Sequence, residues 1–141
     1  KLKQNLFFDN QKQIKKNWNI LVVDDEPDAR DLFKEIISEN DDYSVDIASD
    51  GVEALAKAAN VKYDLILLDI VMPNKDGVET LSELTQDTEK YGKPRVIMLT
   101  NIGGDLAIEE ALKLGAAGYR LKIDTEPKAL LNAIEEELQK I

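Results

Sequence analysis

The sequence predicts an α/β fold, a doubly wound five-stranded parallel sheet with helices on both faces, and three observations lead to it. Four short apolar runs, Ile20–Val23, Leu65–Leu68, Val96–Leu99 and Gly118–Leu121, each have the length of a buried parallel strand. Helical stripes separate them, as they must where parallel neighbours are joined by crossover helices. Every run also stops at a polar group: Asp24 and Asp25, then Asp69, Thr100 and Lys122. The carboxyl ends of the strands in an open parallel sheet line one crevice, so these five side chains are expected together.

In chain order, the first 18 residues hold five lysines and one aspartate, a local charge of +4 that leaves −14 on the remainder. This shift separates a basic tail or linker, residues 1–18, from one domain over 19–141. Leu2 with Leu6, and Ile14 with Trp18, sit four apart and admit a helical tail. After the first strand, Pro27 suits a first helical turn, and Ala29, Leu32, Phe33, Ile36 and Ile37 form a stripe. Ser44–Ala48 reads as the second strand. Asp50 with Glu53 resembles a capping box ahead of Val52, Leu55, Ala56 and Ala59. Met72 to Gly77 is a loop by its Pro and Gly punctuation, leading into Val78, Leu81 and Leu84. Gly103-Gly104 opens a helix carrying Leu106, Ile108, Ala111 and Leu112, and a last helix from near Thr125 buries Leu130, Ala133, Ile134 and Leu138.

Composition narrows the function. At 141 residues and 43% hydrophobic, the chain is long enough for one real core. The net charge of −10 repels a phosphate backbone and argues against direct nucleic-acid binding. Without Cys or His there is no thiol catalysis, disulfide, imidazole metal site or internal phosphohistidine, so any phosphohistidine must come from a partner. No apolar run is long enough to span a membrane, and the expected location is cytoplasmic.

Three carboxylates gathered at strand ends repel one another, each pair at ~4 Å costing on the order of 4 kcal/mol at an effective dielectric near 20. Such a site needs a divalent cation, an ammonium such as Lys122, or a raised pKa on one acid. All-oxygen ligation with few protein groups suits Mg²⁺. With its charge neutralised, Asp69 is a plausible nucleophile toward a phosphoryl group, with Lys122 and Thr100 beside it.

Over about Asn19 to Ile141 the chain resembles the receiver domains of two-component response regulators, of the chemotaxis-regulator type. The matching text is Ile20 to Pro27 (Ile-Leu-Val-Val-Asp-Asp-Glu-Pro), Asp64 to Asp69 (Asp-Leu-Ile-Leu-Leu-Asp), Met72-Pro73, Asp76-Gly77, Val96 to Thr100 and Gly115 to Lys122. The resemblance implies a flavodoxin-like strand order, 2-1-3-4-5, and Asp69 as phosphoacceptor. It implies Mg²⁺ held by Asp25, Asp69 and the Val71 backbone carbonyl, with Asp24 acting largely through water. Thr100 and Lys122 would hold the phosphoryl oxygens. Tyr119 would be the switch aromatic, turning inward as Thr100 moves and reshaping the last two helices and the strand between them. The implied partners are a histidine kinase or phosphotransfer protein and a downstream protein or output domain; no output region follows Ile141 in this sequence.

Four positions depart from the family pattern. Ile123 replaces the Pro common after the lysine, so a trans bond is expected. Asn101 is larger than the residue usual after the threonine. Val71 and Ile102 are apolar where fast-hydrolysing relatives orient water, which predicts a long-lived aspartyl phosphate. Val71 also occupies the place of the second acid in aspartate-nucleophile phosphatases, which weighs against a turnover enzyme. The alternative reading is a phosphate-independent protein-binding module.

Overall fold

The structure, a computed structural model, describes residues 17–101, 106–124 and 126–141, Asp124 by its backbone alone. The tail spacing before Trp18, Ile102, Gly103-Gly104 and the helix start at Thr125 lie outside the described residues.

Five parallel strands, β1 (Trp18–Val23), β2 (Tyr43–Ala48), β3 (Leu65–Asp69), β4 (Arg95–Thr100) and β5 (Gly118–Leu121), form one sheet in the order β2-β1-β3-β4-β5. The helices are α1 (Pro27–Ser38), α2 (Gly51–Asn60), α3 (Gly77–Gln86), a short α4 (Thr88–Tyr91), α5 (Leu106–Lys113) and α6 (Pro127–Gln139). Trp18, read from the sequence with the tail, is the first residue of β1: its N–H donates to the Asp42 carbonyl at 2.7 Å, and it packs against the core.

The chain steps from β1 outward to β2, then back across β1 to β3, β4 and β5. Right-handed crossovers then put α1 on one face and α2, α3 and α5 on the other. The packing follows this division. Phe33, Ile36 and Ile37 of α1 join Leu130, Ile134 and Leu138 of α6 over Ile20, Val22, Leu65, Leu67, Ile97 and Leu99. Ala54, Leu55 and Ala58 of α2, Leu81 and Leu84 of α3, and Ile108 and Ala111 of α5 cover the alternate strand residues. Successive strand side chains point to opposite faces, and both faces are covered, so β1, β3 and β4 read as continuous apolar runs.

Some helix faces differ from the sequence expectation. In α2 the buried residues are Ala54, Leu55 and Ala58, whereas Val52 is 54% exposed and Ala56 is exposed. Gly51 lies on the same buried face and permits its close approach to α3, since a Cβ there would lie 2.0 Å from the Thr80 hydroxyl oxygen. Only a bare backbone fits that approach. Leu32 and Leu112 flank their buried stripes and are exposed, and Ala133 is half-buried. Helix α4 carries no apolar stripe; Asp87 accepts from the Lys90 N–H at its start, and Gly92 at φ 74° ends it.

Candidate functional site

The strand order reverses between β1 and β3, and there the carboxyl ends open a crevice. Asp24 follows β1 and is fully buried; its N–H extends the ladder to the Ala48 carbonyl, and its own carbonyl accepts from Arg30 Nη1 at 2.8 Å. Asp69 ends β3 beside Leu99 and is 4% exposed. Thr100 ends β4 and is 5% exposed. Asp25 stands exposed at the rim. Lys122 follows β5 as the first residue of a 3₁₀ turn, Lys122–Asp124, and its side chain reaches inward to 7% exposure.

Asp24, Asp25, Asp69 and Lys122 are drawn together closely, and Thr100 stands at the end of the strand next to β3. Carboxylate oxygens of Asp24, Asp25 and Asp69 lie within 4.8 Å of one another. Lys122 Nζ lies 2.8 Å from Asp24 Oδ2, 2.6 Å from Glu26 Oε1 and 3.5 Å from Asp69 Oδ2. The crevice wall behind Asp69 is bare backbone. A Cβ on Gly77 would come 2.2 Å from the Asp69 carbonyl oxygen, and the Gly77 N–H donates to the Ile70 carbonyl at 2.8 Å. The loop between β3 and α3 thus closes directly onto the acid.

The electrostatics follow from burial and crowding. Desolvation first, then the Asp24 carboxylate, push the Asp69 carboxyl up to about 7, against the pull of Lys122. Burial alone would lower the Lys122 ammonium, but its close contacts with Asp24 and Glu26 and the attraction of Asp69 outweigh it and raise its pKa. Lys122 in turn holds the Glu26 carboxyl below its ordinary range.

A hard divalent cation fits this donor set. Three convergent carboxylates supply oxygen ligands, and the buried Asp24 Oδ2 accepts no well-directed hydrogen bond although the ammonium stands beside it. A cation there would offset the burial and the carboxylate repulsion that raise Asp69.

The remaining sequence-singled residues lie around this centre. Val71, two residues past β3, turns its side chain outward at 78% exposure, and Asn101 is exposed just past Thr100. Ile123 is 79% exposed, and no cis peptide bond occurs among the described residues, in keeping with the expected trans bond. Tyr119 lies beside Met98 in β5 and is 45% exposed. Sequence reasoning gave no role to Glu26, Arg30 or Gly77. Glu26 had a signal: a third acid directly before Pro27 places its carboxylate at the mouth of the same crevice.

Residues 20–135 match the response regulator receiver domain family model. The chain is 37% identical over 119 residues to the chemotaxis protein CheY of Halobacterium salinarum, covering 84% of this chain and 95% of that protein. It is 39% identical over 118 residues to the nitrate/nitrite response regulator NarL of Escherichia coli, covering 83% of this chain but 53% of NarL. It therefore spans nearly all of one relative and about half of the other. Among solved structures, the CheY-like receiver domain protein of Methanospirillum hungatei superposes with a TM-score of 0.79 at 31% identity, covering 89% of this chain and 96% of that one. The CheX-CheY-BeF3-Mg²⁺ complex of Borrelia burgdorferi gives 0.75 at 28% identity, covering 84% and 87%. With its 2-1-3-4-5 parallel sheet and acidic crevice at the switch point, the chain belongs to the receiver domain family of two-component response regulators, signalling modules whose standard role is phosphorylation-dependent.

Proposed function

We propose that Asp69 accepts a phosphoryl group from the phosphohistidine of a histidine kinase or phosphotransfer protein. One Asp69 carboxylate oxygen attacks phosphorus, the phosphorus–nitrogen bond of the donor breaks, and the imidazole keeps the electron pair. The observation that carries this reading is the convergence of Asp24, Asp25 and Asp69 with the buried Lys122 ammonium in one crevice.

Asp25, Asp69 and the Val71 carbonyl would hold Mg²⁺, with Asp24 alongside, and the bound ion would supply the charge neutralisation phosphoryl transfer requires. The Borrelia relative crystallised with BeF3 and Mg²⁺ supports this choice of ion. Burial keeps Asp69 away from bulk water, Lys122 attracts the transferred oxygens, and the Thr100 hydroxyl at the neighbouring strand end donates to them. Thr100 and the half-exposed Tyr119 form the switch: Thr100 moves toward the phosphoryl group, and the ring turns into the space behind it. That rotation follows only to the extent that the phosphorylated state makes better contacts with the inward ring. The output surface is α5, β5 and α6, read by a downstream protein or output domain. The protein transfers the group to itself and does not turn over substrate. No described helix is long and apolar enough to cross a membrane; the proposed site of action is the cytoplasm.

Intact mass after incubation with Mg²⁺ and acetyl phosphate tests the reading. One phosphoryl adduct is expected on wild type, lost with a chelator and absent in Asp69→Asn. Absence of a metal-dependent adduct on wild type would replace this reading with a phosphate-independent binding module.

A further inference from the structure

Lys122 is drawn toward the mouth of the crevice by a carboxylate that the acceptor chemistry does not require. Its ammonium is 2.6 Å from Glu26 and 2.8 Å from Asp24, but 3.5 Å from Asp69. An ammonium carries three N–H donors but a single charge, so its two closer partners compete with Asp69 for that charge. Glu26 is placed for this by its backbone. Its N–H donates to Asp24 Oδ1 at 2.9 Å, and Pro27 begins α1 directly after it. The Glu26 side chain makes no capping hydrogen bond to the helix, so helix capping does not account for it. The two close partners differ in one respect: Asp24 is fully buried, whereas 58% of the Glu26 side chain faces solvent.

We propose that Glu26 is a displaceable counter-ion of Lys122, which slows phosphoryl acceptance until the incoming phosphoryl oxygens take its place. This inference rests on the reading of Asp69 as acceptor. Two effects combine. The phosphoryl oxygens must win Lys122 from a carboxylate already in contact with it, and they arrive beside an added negative charge. Displacement is feasible because a half-exposed ion pair is weak in net terms, while the buried Asp24 stays and keeps the lysine anchored. Glu26 is therefore a positioning residue, acting through Lys122.

The test compares wild type with Glu26→Gln and Glu26→Asp. Initial rates of adduct formation are read by intact mass with acetyl phosphate at saturating Mg²⁺, each variant's Mg²⁺ affinity being measured separately. Glu26→Gln keeps the shape and loses the charge; it is expected to react about 3- to 10-fold faster, the range for removing one partly screened charge. Glu26→Asp keeps the charge on a stem one methylene shorter and loses contact with the lysine, so its rate is expected between the two. An independent readout uses neither metal nor donor: the Lys122 ammonium signal in ¹⁵N-labelled protein is expected to shift in both variants. Equal rates in all three proteins, or an unmoved Lys122 signal, overturn the inference alone. A fast Glu26→Gln with Glu26→Asp at the wild-type rate also overturns it, leaving a long-range field instead of a counter-ion. No adduct on wild type overturns the proposed function, and the inference with it.

Discussion

Replacing Asp69 by Asn in metal-free protein is expected to stabilise the fold, and to do so only once the pH is high enough to ionise the wild-type acid. Asp69 is 4% exposed, and burial with the Asp24 charge raises its carboxyl from an ordinary 3.8 to about 7. Between those values the folded state holds a proton that the unfolded state has released. The folded state thus binds more protons, and stability falls as pH rises. The acid's favourable share is fully present below 3.8 and is lost as pH climbs through about 7. A shift of this size corresponds to about 4 kcal/mol at full strength, and screening at the crevice mouth reduces that to about 2 kcal/mol. Asn keeps the size and loses the charge. Urea unfolding in chelator should therefore find Asp69→Asn close to wild type near pH 4 and about 2 kcal/mol more stable near pH 8. Saturating Mg²⁺ should narrow the gap, because it binds the wild-type cluster more tightly. A stability difference that does not change with pH, or a variant less stable at pH 8, would refute the reasoning.

Three further outcomes follow from other contacts. Val71→Asn should shorten the life of the phosphoryl adduct by about 10-fold, less than the full effect of a positioned base, because an amide there can orient attacking water; decay of the adduct by intact mass checks this, and unchanged decay removes the apolar-rim explanation of a long lifetime. Gly77→Ala should cost about 1 to 3 kcal/mol in urea unfolding, since its Cβ would meet the Asp69 carbonyl oxygen at 2.2 Å and the backbone must give way. Asp50→Ala should cost about 1 kcal/mol at neutral pH through loss of the α2 cap. The wild-type Asp50 accepts from the Glu53 N–H and from Asn74, each at 2.8 Å, and these bonds hold its carboxyl below 3.8. Its contribution is present above 3.8 and lost as pH falls below it, so the difference between Asp50→Ala and wild type in thermal unfolding should shrink in acid.

Most of the architecture was legible in the sequence because it rests on strands covered on both faces, where hydrophobicity alone marks the element. The site was legible for a related reason: Asp24, Asp69, Thr100 and Lys122 each stop an apolar run, and a parallel sheet brings run ends together. Helix orientation was less legible. The stripe of α2 was read as Val52, Leu55, Ala56 and Ala59, but Ala54 and Ala58 face inward with Leu55, on the side where Gly51 approaches Thr80, a tertiary contact absent from periodicity. Helix α4, four residues of Thr, Glu, Lys and Tyr, is too short to show a period and is held by its Asp87 cap. Glu26 went unassigned because, although its place before Pro27 put it at the crevice mouth, its partner Lys122 is 96 residues away and local pattern does not name that partner.

The edge position of β5 has a consequence for amide exchange. β3 has five residues, all buried, between two partner strands; β5 has four, none fully buried, at the margin of the sheet. Local opening takes least free energy where few buried groups must be exposed, so amides of β5 should exchange with solvent well before those of β3. Lys122 and Tyr119 both lie on or directly after that margin. Asp69, the proposed acceptor, by contrast closes the fully buried β3. Under the proposed function, a chemical event at the buried centre would be set against the part of the chain expected to yield most easily, so that repeated marking and erasure would reshape the perimeter while the interior stays folded.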